Sequence, residues 1–134
     1  MVRLLIVDDD FISRQLLSTI LKDYGECDVA VSGDEAVLAY KLSIKEGKPY
    51  DGIFLDIMMP GSDGYSALEG IRSWEEERGV AAADRVKVIM ATAVDDPKMM
   101  MRAFRSQCDS YVVKPIVESK VLSAAEKAGL FLFK

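Results

Sequence analysis

The chain has 134 residues, half of them apolar and 29% charged, and its 17 basic and 22 acidic residues leave a net charge of −5. That length holds one domain with one sizeable core, and the balance of residues is that of a folded, water-soluble chain. There is no histidine, which excludes a Ser-His-Asp or Cys-His nucleophile, a His-ligated zinc or haem, and a phosphohistidine carried by this chain.

Residues 3–8 (RLLIVD) form the continuous apolar run expected of a strand covered on both faces. Over 11–24, Ile12, Leu16, Leu17, Ile20 and Leu21 recur at helical spacing, with Gly25 placed to end the helix as a left-handed cap. A second strand is expected over 27–31. A second helix over 34–46 carries Ala36, Val37, Tyr40 and Ile44 inward, closed by Gly47 and Pro49. Residues 52–56 (GIFLD) read as a third strand ending in a carboxylate. Pro60, Gly61 and Gly64 then interrupt the chain before a third helix with Tyr65, Leu68 and Ile71 spaced by three.

Small residues over 79–84 make a loop, and 85–91 a fourth strand. Pro97 suits the first turn of a fourth helix, where its missing N–H costs nothing. A fifth strand over 110–113, a turn at Pro115 and a last helix over 116–128 complete an alternating (βα)5 pattern with no repeat or linker. Right-handed crossovers place such strands in a doubly wound α/β fold, one parallel sheet between two helix layers. One domain over 1–134 is expected, with no output domain after it.

In parallel sheets, ligands and chemistry gather beyond the carboxyl ends of the strands. The first strand ends in Asp8, Asp9 and Asp10, the third in Asp56, the fourth in Ala91-Thr92-Ala93 and the fifth in Lys114-Pro115. Singly, each has an ordinary role: Asp10 caps a helix, Asp56 and Thr92 finish strands, Lys114 is a solvated charge. Together they form a candidate site. Carboxylates about 5 Å apart repel by roughly 3 kcal/mol per pair at an effective dielectric of about 20. An all-oxygen cluster relieves that repulsion by binding a hard divalent cation, for which Mg²⁺, with its retained waters and few protein ligands, is suited. Lys114 adds a compensating point charge. A carboxylate between such an ion and an ammonium can accept a phosphoryl group, because both cations neutralise charge on the transferred oxygens.

Five separated stretches carry a resemblance: residues 5–10 (LIVDDD), 55–60 (LDIMMP), Asp63-Gly64, 90–93 (MATA) and 111–115 (YVVKP). In that order and spacing, over nearly the whole chain, the sequence resembles the receiver domain of two-component response regulators. The resemblance implies the flavodoxin-like strand order 2-1-3-4-5. It implies that Asp56 accepts a phosphoryl group from a phosphohistidine on a histidine kinase or histidine phosphotransfer protein. It further implies Mg²⁺ held directly by Asp9, Asp56 and the backbone carbonyl of Met58, with Asp8 acting through a bound water. Lys114 would contact a phosphoryl oxygen, and the Lys114–Pro115 peptide is usually cis in this family. Thr92 and Tyr111 would form the switch, the hydroxyl moving to the phosphoryl group as the ring turns inward. Such a protein is no conventional enzyme, since it catalyses only its own phosphotransfer and autodephosphorylation.

A new charge of about −1.5 to −2 biases a two-state equilibrium in the fourth helix and fifth strand, exposing a surface for a downstream protein. Ala93 leaves an approach to the acceptor open. Apolar Met58 and Val94, two residues past Asp56 and Thr92, are expected to restrict the hydrolytic water and so prolong the phosphorylated state. Lys98, Arg102 and Arg105 make a basic stripe at i, i+4, i+7. Its ordinary reading is solvated charge. The other is a homodimer through the fourth helix, fifth strand and fifth helix, with Asp109 or Glu118 of a second copy as counter-charges. Met99, Met100 and Met101 sweep too wide an arc for all to face the core. The tail 130–133 (LFLF) is expected to pack on the last helix. Receivers commonly carry Gly-Ala before the fifth strand, where this chain has Gln107-Cys108, which puts the fourth helix's cap in question.

Cys27 and Cys108 show no metal spacing and read as free thiols in a reducing cytosol. The run at 4–7 stops at three aspartates, so it is no signal peptide, and no apolar stretch approaches the ~18 residues of a membrane span. A cytoplasmic chain is expected, with neither membrane nor nucleic acid, whose phosphate its charge repels, as a partner. Three alternatives are weighed against the phosphoacceptor reading. An aspartyl-phosphate hydrolase of the haloacid-dehalogenase type needs a second Asp where Met58 stands. A flavin or nucleotide binder needs a phosphate loop after the first strand, where the acidic triplet stands. A receiver-like scaffold that works without phosphorylation would lack an acid, the Thr or the Lys, all present here.

Overall fold

Side chains alternate between the faces of a strand, and the first apolar run uses both. In β1 (Val2–Val7), Leu4 and Ile6 enter one core while Leu5 and Val7 enter the other. The computed structural model describes residues 1–59, 62–93 and 95–133. β1, β2 (Gly25–Ala30), β3 (Gly52–Leu55), β4 (Lys87–Thr92) and β5 (Ser110–Val113) form one parallel sheet in the order β2-β1-β3-β4-β5. The doubly wound α/β architecture is therefore as expected.

The helices are α1 (Phe11–Leu21), α2 (Gly33–Lys45), α3 (Gly64–Glu77), α4 (Pro97–Arg105) and α5 (Glu118–Ala128). On one face Leu5, Val7, Ile53, Leu55, Val88 and Met90 pack against Tyr40, Leu68 and Ile71; on the other Leu4, Ile6, Phe54 and Ile89 pack against Leu17, Leu21, Val121 and Ala125. Asp10, Ser32, Asp63 and Asp96 cap α1 to α4, each accepting a backbone N–H of the first turn. A two-residue antiparallel ribbon, Met58–Met59 with Ser62–Asp63, leads from β3 into α3. The chain break read at Pro60 and Gly61 lies outside the described residues. Strand order reverses at β1, which has β2 on one side and β3 on the other, so the sheet opens a crevice at the carboxyl ends of β1 and β3.

Several local expectations are corrected. Helix α1 ends at Leu21, and only Leu17 and Leu21 of its apolar set are buried; Ile12 is 69% exposed and Leu16 is also exposed. Gly25 is no helix cap: it opens β2 opposite Val2, and a Cβ there would strike the Val2 carbonyl. Helix α5 begins at Glu118, leaving Ile116 buried ahead of it, and the 79–84 loop contains a 3-10 turn, Ala82–Asp84. In the tail, Leu130 is buried against Gly52 and Leu132 is half-buried, whereas Phe131 and Phe133 face solvent. An extended segment alternates its sides, so only every second tail residue can pack.

The doubt over Gln107 is resolved by Gln107 itself, which adopts the left-handed conformation with φ 76°. Its N–H donates to Phe104 O at 3.0 Å and that of Cys108 to Ala103 O at 3.1 Å, so α4 ends as a glycine-capped helix would. Beneath that cap lies an ionic network that sequence reasoning missed. Arg72 donates to Gln107 O (2.9 Å), Val86 O (2.8 Å), Glu75 (2.7 Å) and Asp109 (2.8 Å), while Glu75 also accepts from Tyr40 Oη and the Val86 N–H. The signal was present: Leu68, Ile71, Arg72 and Glu75 follow i, i+3, i+4, i+7, so an opposite-charge pair occupies a buried helical stripe.

Candidate functional site

Sheet hydrogen bonds continue right up to the polar residues at the strand ends. The N–H of Asp8 donates to Ala30 O (3.2 Å), that of Asp56 to Val7 O (3.0 Å) and that of Lys114 to Thr92 O (2.8 Å). Three strands thus hold Asp8, Asp56 and Lys114 in register.

The acidic triplet divides its work. Asp10 accepts from the Ser13 amide (3.1 Å) and hydroxyl (2.8 Å) as the α1 cap, so its ordinary reading is correct. Asp8 is 1% exposed, its Oδ1 accepting the Asp10 N–H at 2.9 Å and its Oδ2 the Lys114 Nζ at 2.8 Å. Asp9 stays exposed, yet carboxylate oxygens of Asp8, Asp9 and Asp56 lie within 4.8 Å of one another. Three oxygen ligands that close, two of them on buried groups, fit a hard cation better than they fit one another.

Asp56 is buried one residue past β3, its Oδ1 accepting the Met58 N–H at 3.2 Å and its Oδ2 lying 3.5 Å from Lys114 Nζ. Burial and then the Asp8 charge push its pKa up to about 6, against the pull of Lys114. Burial works against the Lys114 ammonium, but the hydrogen bond to Asp8 and the charges of Asp56 and Asp8 outweigh it, and its pKa rises. Helix α3 braces the backbone at Asp56. Gly64 N–H donates to Ile57 O at 2.9 Å, and a Cβ on Gly64 would strike the Asp56 carbonyl, so only glycine allows α3 to start this close.

Thr92 closes β4 and is fully buried; Ala93 beside it is exposed. Tyr111 packs on the α3–α4 side of the core with its ring half-buried, and burial pushes its hydroxyl to a pKa of about 12. Met58 is 57% exposed at the site's rim, its backbone beside Asp56; Val94 lies outside the described residues. The Lys114–Pro115 peptide is cis.

The basic stripe does not converge on this cluster. Lys98, Arg102 and Arg105 are exposed on α4, and the Arg102 guanidinium lies 4.1 Å above the Tyr65 ring. Met101 is exposed and Met99 and Met100 partly so, as the arc required, while exposed Phe104 beside them had not been singled out. Asp109 is not an available counter-charge for a second copy, because its Oδ2 holds both Arg72 and the Val88 N–H at 2.8 Å. Glu118 accepts from Tyr24 Oη at 3.0 Å but remains exposed. Also unforeseen were exposed Phe11, Ile12 and Leu16, which put an apolar ridge on α1 next to Asp9.

Comparison with known proteins agrees with this geometry. Residues 4–126 match the model of the response regulator receiver domain. The chain is 34% identical over 128 residues to hybrid signal transduction histidine kinase L of Dictyostelium discoideum, covering 95% of this chain and 7% of that protein. It is 35% identical over 129 residues to chemotaxis protein CheY of Listeria monocytogenes, covering 96% and 99%. Among solved structures it resembles a chain of the CheX–CheY–BeF3–Mg²⁺ complex from Borrelia burgdorferi (TM-score 0.83, 27% identity, 96% and 89% covered). It also resembles the receiver domain of the Arabidopsis thaliana histidine kinase CKI1 complexed with Mg²⁺ and BeF3⁻ (TM-score 0.79, 28% identity, 95% and 89% covered). The chain belongs to the response regulator receiver family, the phosphoacceptor modules of two-component signalling. Among the described residues no helix is long and apolar enough to cross a membrane.

Proposed function

We propose that Asp56 is the phosphoacceptor of this receiver and takes its phosphoryl group from a phosphohistidine on a histidine kinase or phosphotransfer protein. The observation that carries this reading is the Lys114 ammonium, 2.8 Å from Asp8 and 3.5 Å from Asp56, beside three carboxylates within 4.8 Å of one another. An Asp56 oxygen attacks phosphorus, the N–P bond breaks, and the imidazole nitrogen leaves with its electron pair. The lysine donates to a phosphoryl oxygen as charge builds there. Asp9, Asp56 and the Met58 carbonyl would hold Mg²⁺ directly and Asp8 through water; such an ion neutralises charge on the transferred oxygens.

Thr92 is the hydroxyl that follows the phosphoryl group, and Tyr111 the ring that follows Thr92. The apolar ridge of Phe11, Ile12 and Leu16 is the surface on which the phosphohistidine-bearing partner docks, and the α4–β5–α5 face meets the downstream protein or a second copy. For a second copy, Lys98, Arg102 and Arg105 pair with Glu118 rather than Asp109. Met58 at the rim hinders the hydrolytic water, and the phosphorylated form decays slowly. The test is intact mass after incubation with Mg²⁺ and acetyl phosphate, alongside Asp56→Asn. One added phosphoryl group in the wild type alone, persisting over a long time course, is expected. No adduct even with a cognate kinase would leave a phosphorylation-independent scaffold.

A further inference from the structure

Helix α3 grips α4 at two points. Tyr65 and Arg72 stand two turns apart (i, i+7) on one face of α3. At the first turn of α4, Tyr65 Oη donates to Met99 O at 2.9 Å, and its buried ring lies under the Arg102 guanidinium at 4.1 Å. Beyond the last turn, Arg72 Nε donates to Gln107 O at 2.9 Å. The two grips differ in strength. Arg72 is fixed by Glu75, Asp109 and Val86 O, so its hold is charge-assisted and shared among several partners. Tyr65 makes one neutral hydrogen bond, to the Met99 carbonyl, and a stack onto an exposed cation, both weaker. Tyr65 follows Gly64, whose backbone lies against that of Asp56, so its position is tied to the acceptor strand.

We infer that Tyr65 is a positioning residue that sets where the first two turns of α4 lie, with the Arg72–Gln107 contact as the fixed pivot about which they move. The inference rests on Asp56 being the phosphoacceptor only in saying what drives the movement. A push from the acceptor loosens the weaker grip, and α4 swings at its amino end while its carboxyl end stays clamped.

The test is residue-resolved amide hydrogen exchange on the full chain. Tyr65→Phe keeps the ring and removes the hydroxyl. It is expected to speed exchange of Met101, Arg102 and Ala103 about threefold to tenfold, the effect of one lost neutral hydrogen bond, with Gln107 and Cys108 unchanged. Arg102→Gln, which leaves the core untouched, should speed the same amides by a smaller factor. Mg²⁺ with beryllofluoride should loosen those amides in the wild type and add less than about twofold in Tyr65→Phe, because both act on one equilibrium. Equal acceleration at both ends of α4 in Tyr65→Phe, or less than about twofold change at its amino end, would overturn the inference. Beryllofluoride without effect on the wild type, while Tyr65→Phe still loosens one end, would instead count against Asp56 as acceptor and leave the latch standing.

Discussion

The Lys114 ammonium lies closer to Oδ2 of Asp8, at 2.8 Å, than to Oδ2 of Asp56, the proposed acceptor, at 3.5 Å. The lysine is therefore held by the companion acid, and Asp56 keeps an oxygen that is buried, near another anion and only partly compensated. That is the physical origin of its raised pKa.

A free aspartic acid titrates at 3.8 and Asp56 in the fold at about 6, so the folded chain binds this proton more tightly than the unfolded one. Ionised Asp56 opposes folding above about pH 6, and that opposition fades as the pH falls toward 3.8. Asp56→Asn removes it at neutral pH. With water at the pocket mouth screening part of the charge, the gain is about 1 kcal/mol, roughly 3–5 °C in Tm. Metal-free thermal melts should show the variant's advantage constant above about pH 6.5 and shrinking as the pH falls from about 6 to about 4.

The triplet's members are separable. Asp9→Asn should weaken Mg²⁺ binding at least about tenfold by calorimetric titration, because it removes one charged ligand. Asp10→Asn should leave Mg²⁺ binding unchanged, since asparagine caps a helix as well as aspartate. Asp10→Ala should also spare the metal but cost ~1 kcal/mol in urea unfolding.

Gly64→Ala drives a methyl group into the Asp56 carbonyl and the Ile57 Cα, backbone atoms that cannot rotate away. A loss of about 2–4 kcal/mol on chemical unfolding is expected, together with slower phosphorylation from acetyl phosphate as α3 is displaced from the acceptor.

Gln107 holds a left-handed conformation that glycine adopts at lower cost. Gln107→Gly should therefore stabilise the fold by roughly 0.5 kcal/mol, the gain being offset in part by the lost 3.3 Å contact from Arg85 to its side chain. A matched pair of urea curves decides it.

Arg72→Met strands Glu75, fully buried, and removes a partner from Asp109. Uncompensated burial of that kind costs about 3–5 kcal/mol. A loss below about 1 kcal/mol would mean that the network contributes little.

How far the sequence predicted these features depended on whether the signal was local. Strand 110–113 was placed to the residue because Ser110–Val113 is an apolar run between a turn and Lys-Pro. Asp8, Asp9, Asp56 and Lys114 were singled out because a parallel sheet gathers its strand ends, and the fold does bring their side chains together. What failed had its cause elsewhere in the fold. Gly25 read as a cap because the Val2 carbonyl that demands a glycine is on another strand. Ile12 and Leu16 fit a helical stripe, but in the fold they face solvent while Leu17 and Leu21 take the core. Arg72 and Glu75 went unread although they share the helical stripe of Leu68 and Ile71, because two of their partners, Asp109 and Tyr40, lie more than thirty residues away in sequence.

The hydrogen bonds that run to Asp8, Asp56 and Lys114 anchor these groups in the backbone ladder of the central sheet. Charged groups held this way arrive already oriented, so little reorganisation accompanies the transfer itself. On the proposal that Asp56 takes the phosphoryl group, the strand ends would hold their places and the disturbance would pass outward to a helix packed on them, so that a partner would sense the displacement of a surface some distance from the chemistry.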